Sequence, residues 1–254
     1  MNVGLEILIF AAGTVVGSFL NVCIVRIPQG ISIIYPSSRC PSCGSAIRFY
    51  DNIPIVGYLL LRARCRDCGA NISLRYPVVE ALTGAVLLAL FWKFGWGMKL
   101  FAAFAFAAAL IVVTFIDLDH KIIPDVITLP GIPLFAVAGI FVMDLTVWES
   151  LAGIAAGAGS LYLIAFLYRL LAKREGMGMG DVKLLAMLGA FLGWKSLIFI
   201  LFISSLLGSI AGGLVILAGG GNLKYAVPYG PFLSAAAMAY LFAGREIMQM
   251  VLLR

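Results

Sequence analysis

Charge is scarce in this chain. Of its 254 residues only 12% are Asp, Glu, Lys or Arg while 63% are hydrophobic, and the mean hydropathy is +1.07. Too little polar surface remains to coat a water-soluble globule, so a soluble enzyme or binding module is excluded and an integral membrane protein is implied. Further absences narrow the field. No Gly-x-Gly-x-x-Gly string announces a dinucleotide-type cofactor pocket, and no internal repeat supports an inverted-repeat transporter. The one long polar segment, from Arg26 to Arg75, lacks the aromatic stripe on which bases stack, so no nucleic-acid partner is expected. Before the first apolar run there is no basic residue, and no small-residue cleavage site with a soluble domain follows it. That run therefore reads as a retained helix and not as a removed signal.

What is abundant is apolar sequence in long stretches. A helix needs roughly 20 apolar residues to cross the hydrocarbon of a bilayer. Spans are expected at Leu5 to Ile27, Val78 to Phe94, Leu100 to Ile116, Val126 to Met143, Leu151 to Leu171, Val182 to Leu192, Ser196 to Ala218 and Tyr229 to Leu252. The sixth is short, with Gly189 and Gly193 at its end, so eight spans are expected with seven as the fallback. The fold class is all-α: a polytopic helix bundle whose partner is the lipid bilayer. Seven Lys and Arg residues lie from Arg26 to Arg75, and Lys121, Arg169, Lys173, Arg174, Lys183 and Lys224 fall on the same side. Only Lys93, Lys99, Lys195, Arg245 and Arg254 fall on the other. The positive-inside rule then places the Arg26 to Arg75 segment in the cytoplasm and both termini outside. The net charge of +6 is thus chiefly a topology signal. Trp92, Trp96 and Trp194, near outer span ends, suit an interfacial belt. Ala152, Gly153, Ala156 and Gly157 suit close helix packing, and Gly219-Gly220-Gly221-Asn222 reads as a turn.

The cytoplasmic insertion carries Cys40-Pro41-Ser42-Cys43-Gly44 and Cys65-Arg66-Asp67-Cys68-Gly69, two CxxC knuckles separated by 21 residues. Each knuckle can supply two corners of a tetrahedron, and Gly44 and Gly69 free the backbone to turn. Four thiolates make a closed site of the structural zinc-ribbon kind. Disulfides are the alternative, but a cytoplasmic site keeps thiols reduced. Metal coordination would also supply folding free energy to an insertion too small for a sufficient core. Cys23, within the first span, reads as a buried apolar thiol.

Two carboxylates lie where charge is costly. Asp117 continues the apolar run Leu110 to Ile116, and Asp181 closes Gly178-Met179-Gly180-Asp181 at the mouth of another apolar helix. A charge at membrane depth costs at least about 2.5 kcal/mol, so such residues face a cavity or each other and are functional by default. Gly178 and Gly180 would let another backbone approach Asp181 closely. The stretch from Asp117 to Asp125 also holds Asp119 and the single histidine, His120; for Asp119, His120 and Asp125 a solvated turn before Pro124 is the competing reading. Two nearby carboxylates tend to share one proton. The ionised member can then activate water while the protonated member donates to a carbonyl oxygen.

Further motifs extend over nearly the whole chain. They are Gly17-Ser18-Phe19-Leu20-Asn21-Val22 with Arg26 and Pro28, then Ser38-Arg39-Cys40-Pro41-Ser42-Cys43-Gly44, Asn52-Ile53-Pro54 and Arg64-Cys65 to Cys68. Ile72-Ser73-Leu74-Arg75-Tyr76-Pro77-Val78-Val79-Glu80 follows, with the Asp117 to Asp125 stretch and Gly178 to Leu184 after it. In these residues the chain resembles the type IV prepilin peptidases of bacterial pilus and type II secretion systems. Gly57 and Ala63 depart from the pattern, standing where a serine-like residue and a glycine are expected.

The resemblance implies an inner-membrane aspartic peptidase of the Gly-x-Gly-Asp type with Asp117 and Asp181 catalytic. Its substrate would be a prepilin or pseudopilin whose short basic leader lies in the cytoplasm, cut after a glycine. Asp119, Asp125 and Glu80 could attract that leader. The resemblance also implies methylation of the new N-terminus from S-adenosylmethionine, with Asn21, Arg75 and Glu80 near that site. Interhelical hydrogen bonding for Asn21 and a lipid-headgroup contact for Arg75 are the alternatives. Residues 1–27 would form the first transmembrane helix, 28–77 the four-Cys zinc insertion that joins neighbouring helices in a methyltransferase region, and 78–254 the peptidase domain. A peptidase without methylation, an ion-coupled transporter and a secretion-assembly scaffold are the remaining alternatives.

Overall fold

A computed structural model of the chain describes residues 3–172, 178–217 and 228–244. Lys173, Arg174, Lys224, Arg245 and Arg254 of the charge pattern, the Gly219 to Asn222 turn and the end of the eighth expected span lie outside the described residues. Among the described residues the chain forms nine α-helices: α1 (Val3–Arg26), α2 (Val56–Leu60), α3 (Arg75–Phe94), α4 (Met98–His120), α5 (Asp125–Phe141), α6 (Val147–Ala172), α7 (Met179–Leu192), α8 (Trp194–Leu217) and α9 (Gly230–Ala239). A π-helical turn, Tyr240–Gly244, continues α9. The β pairing among these residues consists of two isolated bridges.

Within the described residues each expected span overlaps a helix, and the fold is all-α as expected. By length and composition α1, α3, α4, α6 and α8 can each cross a membrane. At about 1.5 Å per residue, 20 or more residues reach the roughly 30 Å of a hydrocarbon core. Lipid offers no partner for backbone polar groups, so apolar sequence in that setting must satisfy them within its own helix. These helices support a multi-pass membrane protein. Two boundaries differ from the sequence reading: α4 runs three residues past Asp117, and α7 begins two residues before Asp181, so both aspartates lie within helices.

The chain divides into two compact units, Met1–Val112 and Val113–Arg254. In the first, α1 packs on α3 through glycines. A Cβ on Gly13 would lie 2.7 Å from Gly84 Cα, and one on Gly17 would lie 2.7 Å from Glu80 Cα. Gly13 and Gly17 form a Gly-x-x-x-Gly face that brings the backbones together, as small residues do in apolar helix pairs. Both departures from the family pattern have physical meanings here. A side chain at Gly57 would run into the Asp51 carbonyl, so a serine does not fit. Ala63 adopts φ 59, a left-handed conformation that glycine would take without strain.

In the second unit α7 is central. Val182 and every residue from Leu184 to Phe191 are buried, and such burial on all faces marks a helix enclosed by its neighbours. Fourteen residues span only about 21 Å. Gly193, at φ 81, ends it. Gly153 of α6 meets Gly189 of α7 backbone to backbone, and a Cβ on Gly157 would lie 2.6 Å from the Leu185 carbonyl. Ser150 Oγ donates to the Ala190 carbonyl at 2.9 Å across the same pair. Gly153 and Gly157 of the fifth span thus serve close packing, as expected, whereas Ala152 and Ala156 lie on an exposed face of α6. On the other side, Phe135 of α5 meets Phe191 edge-on with centroids 5.6 Å apart.

Gly189→Ala places a methyl against the Gly153 carbonyl, where the backbone must shift; overpacking of this kind costs about 1–3 kcal/mol. Gly159→Ala, on α6 with nothing within 4 Å, serves as the control. Thermal melting in detergent is expected to fall for the first variant and to hold or rise for the second.

Candidate functional site

Asp117 lies in the last turn of α4, and its carbonyl accepts the Lys121 N–H at 2.8 Å as the helix closes. Lys121 then takes φ 56 and breaks the helix, and Pro124, extended at φ −67 and ψ 127, starts α5. The connection expected to run from Asp117 to Asp125 is therefore only residues 121–124; Leu118, Asp119 and His120 are helical and exposed. Asp117 itself is 5% exposed. Its Oδ2 accepts the Gly230 N–H at 2.9 Å. Gly230 opens α9, and Pro231 follows at a position where a missing N–H costs nothing. Free N–H groups and the dipole at a helix N-terminus favour an anion there. A Cβ on Gly230 would lie 2.7 Å from Asp117 Oδ2, so the contact requires glycine. Tyr229, one residue earlier, is tied to α8 by its hydroxyl, 2.7 Å from Ser204 Oγ.

Asp181 sits half-buried in the first turn of α7. Ile123 packs between the two supporting segments. A Cβ on Gly180 would lie 2.8 Å from Ile123 Cβ, and one on Gly230 would lie 3.2 Å from Ile123 Cδ1. The space beside Gly180 is thus filled by the chain itself. Beside Gly178 the described residues leave room, with Asp181 Oδ2 at 3.8 Å and Gly180 N at 4.0 Å from a notional Cβ. Lys183 Nζ reaches both carboxylate oxygens of Asp125, at 2.7 and 2.8 Å, and joins the start of α7 to that of α5.

In the first unit the four cysteines converge. The ligand atoms of Cys40, Cys43, Cys65 and Cys68 lie within 4.8 Å of one another, a cluster able to chelate a metal ion. The two knuckles repeat one geometry. Cys40 N donates to the Ser45 carbonyl and Gly44 N to the Cys40 carbonyl, both at 2.9 Å. Cys65 N and Gly69 N do the same with the Ala70 and Cys65 carbonyls, at 2.8 and 2.9 Å. Gly44 and Gly69 take φ 73 and φ 70, the left-handed turn their lack of a side chain permits. An isolated bridge flanks each knuckle, Arg39 with Ala46 and Arg64 with Asn71. Backbone N–H groups of Cys43 and Ser42 hold the Cys40 thiol below its ordinary value, and those of Cys68 and Asp67 do so at Cys65. Cys68 receives the Ala70 N–H, yet the Cys43 thiol, desolvation and the remaining thiols push it up to about 12. Four thiolates crowd together cheaply only around a cation. Cys23 is buried in α1, as expected for an apolar thiol.

Beside this cluster lies a cavity of about 370 Å³, the size of small-molecule pockets. Asn21, Arg75 and Glu80 all line it. Glu80 is 7% exposed, and its Oε2 accepts the Ile55 N–H at 2.8 Å. Arg75 lies over the Tyr76 ring at 5.9 Å. Arg66, inside the second knuckle, binds both oxygens of Asp51, Nε to Oδ2 at 2.8 Å, and so fixes one wall.

Comparison with known proteins agrees with these features. The bacterial peptidase A24 N-terminal domain family matches residues 11–94, and the type IV leader peptidase family matches residues 104–213. A Xanthomonas campestris "Prepilin leader peptidase/N-methyltransferase" is 34% identical over 92% of this chain and 90% of its own length. The chain belongs to the type IV leader peptidase family. A relative of the same description from Aeromonas hydrophila is 38% identical over 94% of this chain and 91% of its own length. One from Myxococcus xanthus is 43% identical over 84% of this chain, which spans only 64% of that relative. No solved structure gives a significant match. Sequence reading gave no site role to Gly230, Ile123 or Ile55, and took Lys183 only as part of the charge pattern and of the Gly178 to Leu184 motif. Only Gly230-Pro231 carried a usable signal, the glycine and proline of a helix start.

Zinc titration of the purified protein is expected to fill one site per chain, with Cys65→Ser filling none at equal protein concentration. Full binding by that variant would contradict a four-thiolate site.

Proposed function

We propose that this chain is a membrane aspartic endopeptidase that removes the leader of type IV prepilins or pseudopilins and then N-methylates the new N-terminus. The observation that carries the reading is the buried Asp117 carboxylate, held by the Gly230 N–H, with Ile123 packed against both Gly230 and the Gly180 that precedes Asp181. A carboxylate kept at this depth in an apolar bundle is costly unless used. The relatives described as prepilin leader peptidase/N-methyltransferase supply the substrate class and the second activity.

In this account Asp117 and Asp181 share one proton. The ionised carboxylate draws a proton from water as it attacks the scissile carbonyl. The protonated partner donates to the carbonyl oxygen and later helps protonate the leaving amine, the two acting as a pair. Substrate backbone approaches beside Gly178, where there is room. Asp119, exposed in the last turn of α4, is one carboxylate that a basic leader can meet. The inner membrane is the setting, with eight crossings and the cysteine insertion and both aspartates at the cytoplasmic face, following the charge pattern. Residues 1–27, 28–77 and 78–254 serve as first helix, metal insertion and peptidase domain. Zinc on the four cysteines would hold the insertion folded without entering the chemistry.

For methylation the donor is S-adenosylmethionine, which supplies an electrophilic methyl group when bound. The cavity that Asn21, Arg75 and Glu80 line has the volume for it. Arg75 suits the donor's carboxylate.

Asp117→Asn and Asp181→Asn are each expected to lower leader cleavage at least about 10³-fold, within the range of lost acid–base chemistry. Both are expected to keep methylating a pre-cleaved substrate. Gly230→Ala, which displaces Asp117, is expected to lower kcat by roughly 10² with KM little changed. Gel-shift kinetics on a prepilin measures all three, and cleavage by either asparagine variant at the wild-type rate contradicts the dyad.

A further inference from the structure

One end of the first unit's cavity carries acceptors. Gly17 lets α1 approach α3 at Glu80, and Ser18 and Asn21 of α1 line the same cavity as that carboxylate. Glu80 accepts the Ile55 N–H, and Ser18 lines the same cavity. An ionised carboxylate has about four acceptor positions, so several remain. Ile55 delivers its N–H at φ 62, a conformation a β-branched residue seldom adopts and one that clusters at functional sites. Asn21, 2% exposed, donates Nδ2 to the Tyr76 carbonyl at 3.1 Å, which fixes the amide's orientation. Its Oδ1 is left buried with no partner. A buried acceptor without a donor is costly, and a group that meets both it and the carboxylate of Glu80 does best as a donor with no acceptor of its own.

An alkylammonium has three donors and no acceptor. We infer that this end of the cavity binds the free N-terminal amine of the processed peptide, with Asn21 and Ser18 beside it and Glu80 as the base that takes its proton. The inference rests on the methylation reading and adds the residues that act on the amine. One ammonium N–H proton passes to a Glu80 oxygen and the nitrogen lone pair is freed. That pair attacks the methyl carbon of the sulfonium donor; the new N–C bond forms as the C–S bond breaks, and its electrons stay on sulfur. Positive charge moves from sulfur to the now secondary ammonium, and the proton on Glu80 returns to solvent. The same acceptors could instead take the donor's own α-ammonium, which is also a primary ammonium.

The test uses the full chain in detergent and two probes, S-adenosylmethionine and a synthetic mature pilin N-terminal peptide with its amine free or acetylated. Folding of each variant is read from zinc content and melting temperature. Wild type is expected to bind the free-amine peptide at least about tenfold more tightly than the acetylated one. Asn21→Ala is expected to erase that difference, and Glu80→Gln to slow methyl transfer at least about a hundredfold, within the range for a lost base. Both are expected to bind S-adenosylmethionine as wild type does. Should Glu80→Gln fail to fold, Ser18→Ala carries the test, with reduced discrimination expected. Methyl transfer by folded Glu80→Gln at the wild-type rate overturns the inference, as does a loss of S-adenosylmethionine affinity in place of peptide discrimination. If wild type transfers no methyl group, the methylation reading fails separately, and amine discrimination still decides whether the amine site exists.

Discussion

The hydrogen bond from the Gly230 N–H to the Asp117 carboxylate is the contact around which the second unit is arranged. In an apolar bundle a carboxylate must be met by protein, because neither lipid nor side-chain hydrocarbon can solvate it. A backbone N–H at a helix start meets it without adding a titrating group. That solution has consequences. The residue giving the N–H must be glycine, since a Cβ would lie 2.7 Å from the oxygen. The following proline and the Tyr229 to Ser204 hydrogen bond hold the start of α9 at that point. Ile123 closes the remaining gap against Gly180, and Asp181, the next residue of α7, lies half-buried.

A parallel device stands in the first unit. There the buried carboxylate is Glu80, and its backbone donor is Ile55, held at positive φ. Each unit thus spends local conformational strain or a glycine to aim one N–H at one carboxylate. Close backbone approach serves both: Gly13, Gly17 and Gly84 between α1 and α3, Gly153 and Gly157 between α6 and α7. Small residues are the general means of drawing helices together where hydrophobicity gives no preference for protein over lipid. The short, fully enclosed α7 follows from the same packing, because a helix buried on every face need not match the bilayer in length.

Much of this was legible in the sequence, and the reason is that the legible parts are local. Apolar runs dictate helices in lipid, and two CxxC-Gly strings dictate two turns of one geometry, down to φ 73 and φ 70 at Gly44 and Gly69. Asp117 and Asp181 stood out because charge is expensive in such runs. The rest depends on single contacts between distant residues, which leave no period to read. Gly230 is 113 positions from Asp117, and Lys183 is 58 from Asp125. Gly180 looked like room for a substrate backbone, but Ile123 occupies that room, a packing decision invisible in the string Gly178 to Asp181. Gly57 and Ala63 looked like drift from the family pattern; a carbonyl contact explains the first, and the second is a strained turn.

The central claim is that Asp117 and Asp181 act on one reacting carbon as a pair. A peptide in which the scissile amide is replaced by a hydroxyl-bearing isostere places its oxygen between two such carboxyls, mimicking the transition state. Its Kd for the wild type, for Asp117→Asn and for Asp181→Asn tests the pair directly. Both variants are expected to weaken binding by about a hundredfold or more, and a wild-type Kd for either one would contradict the account.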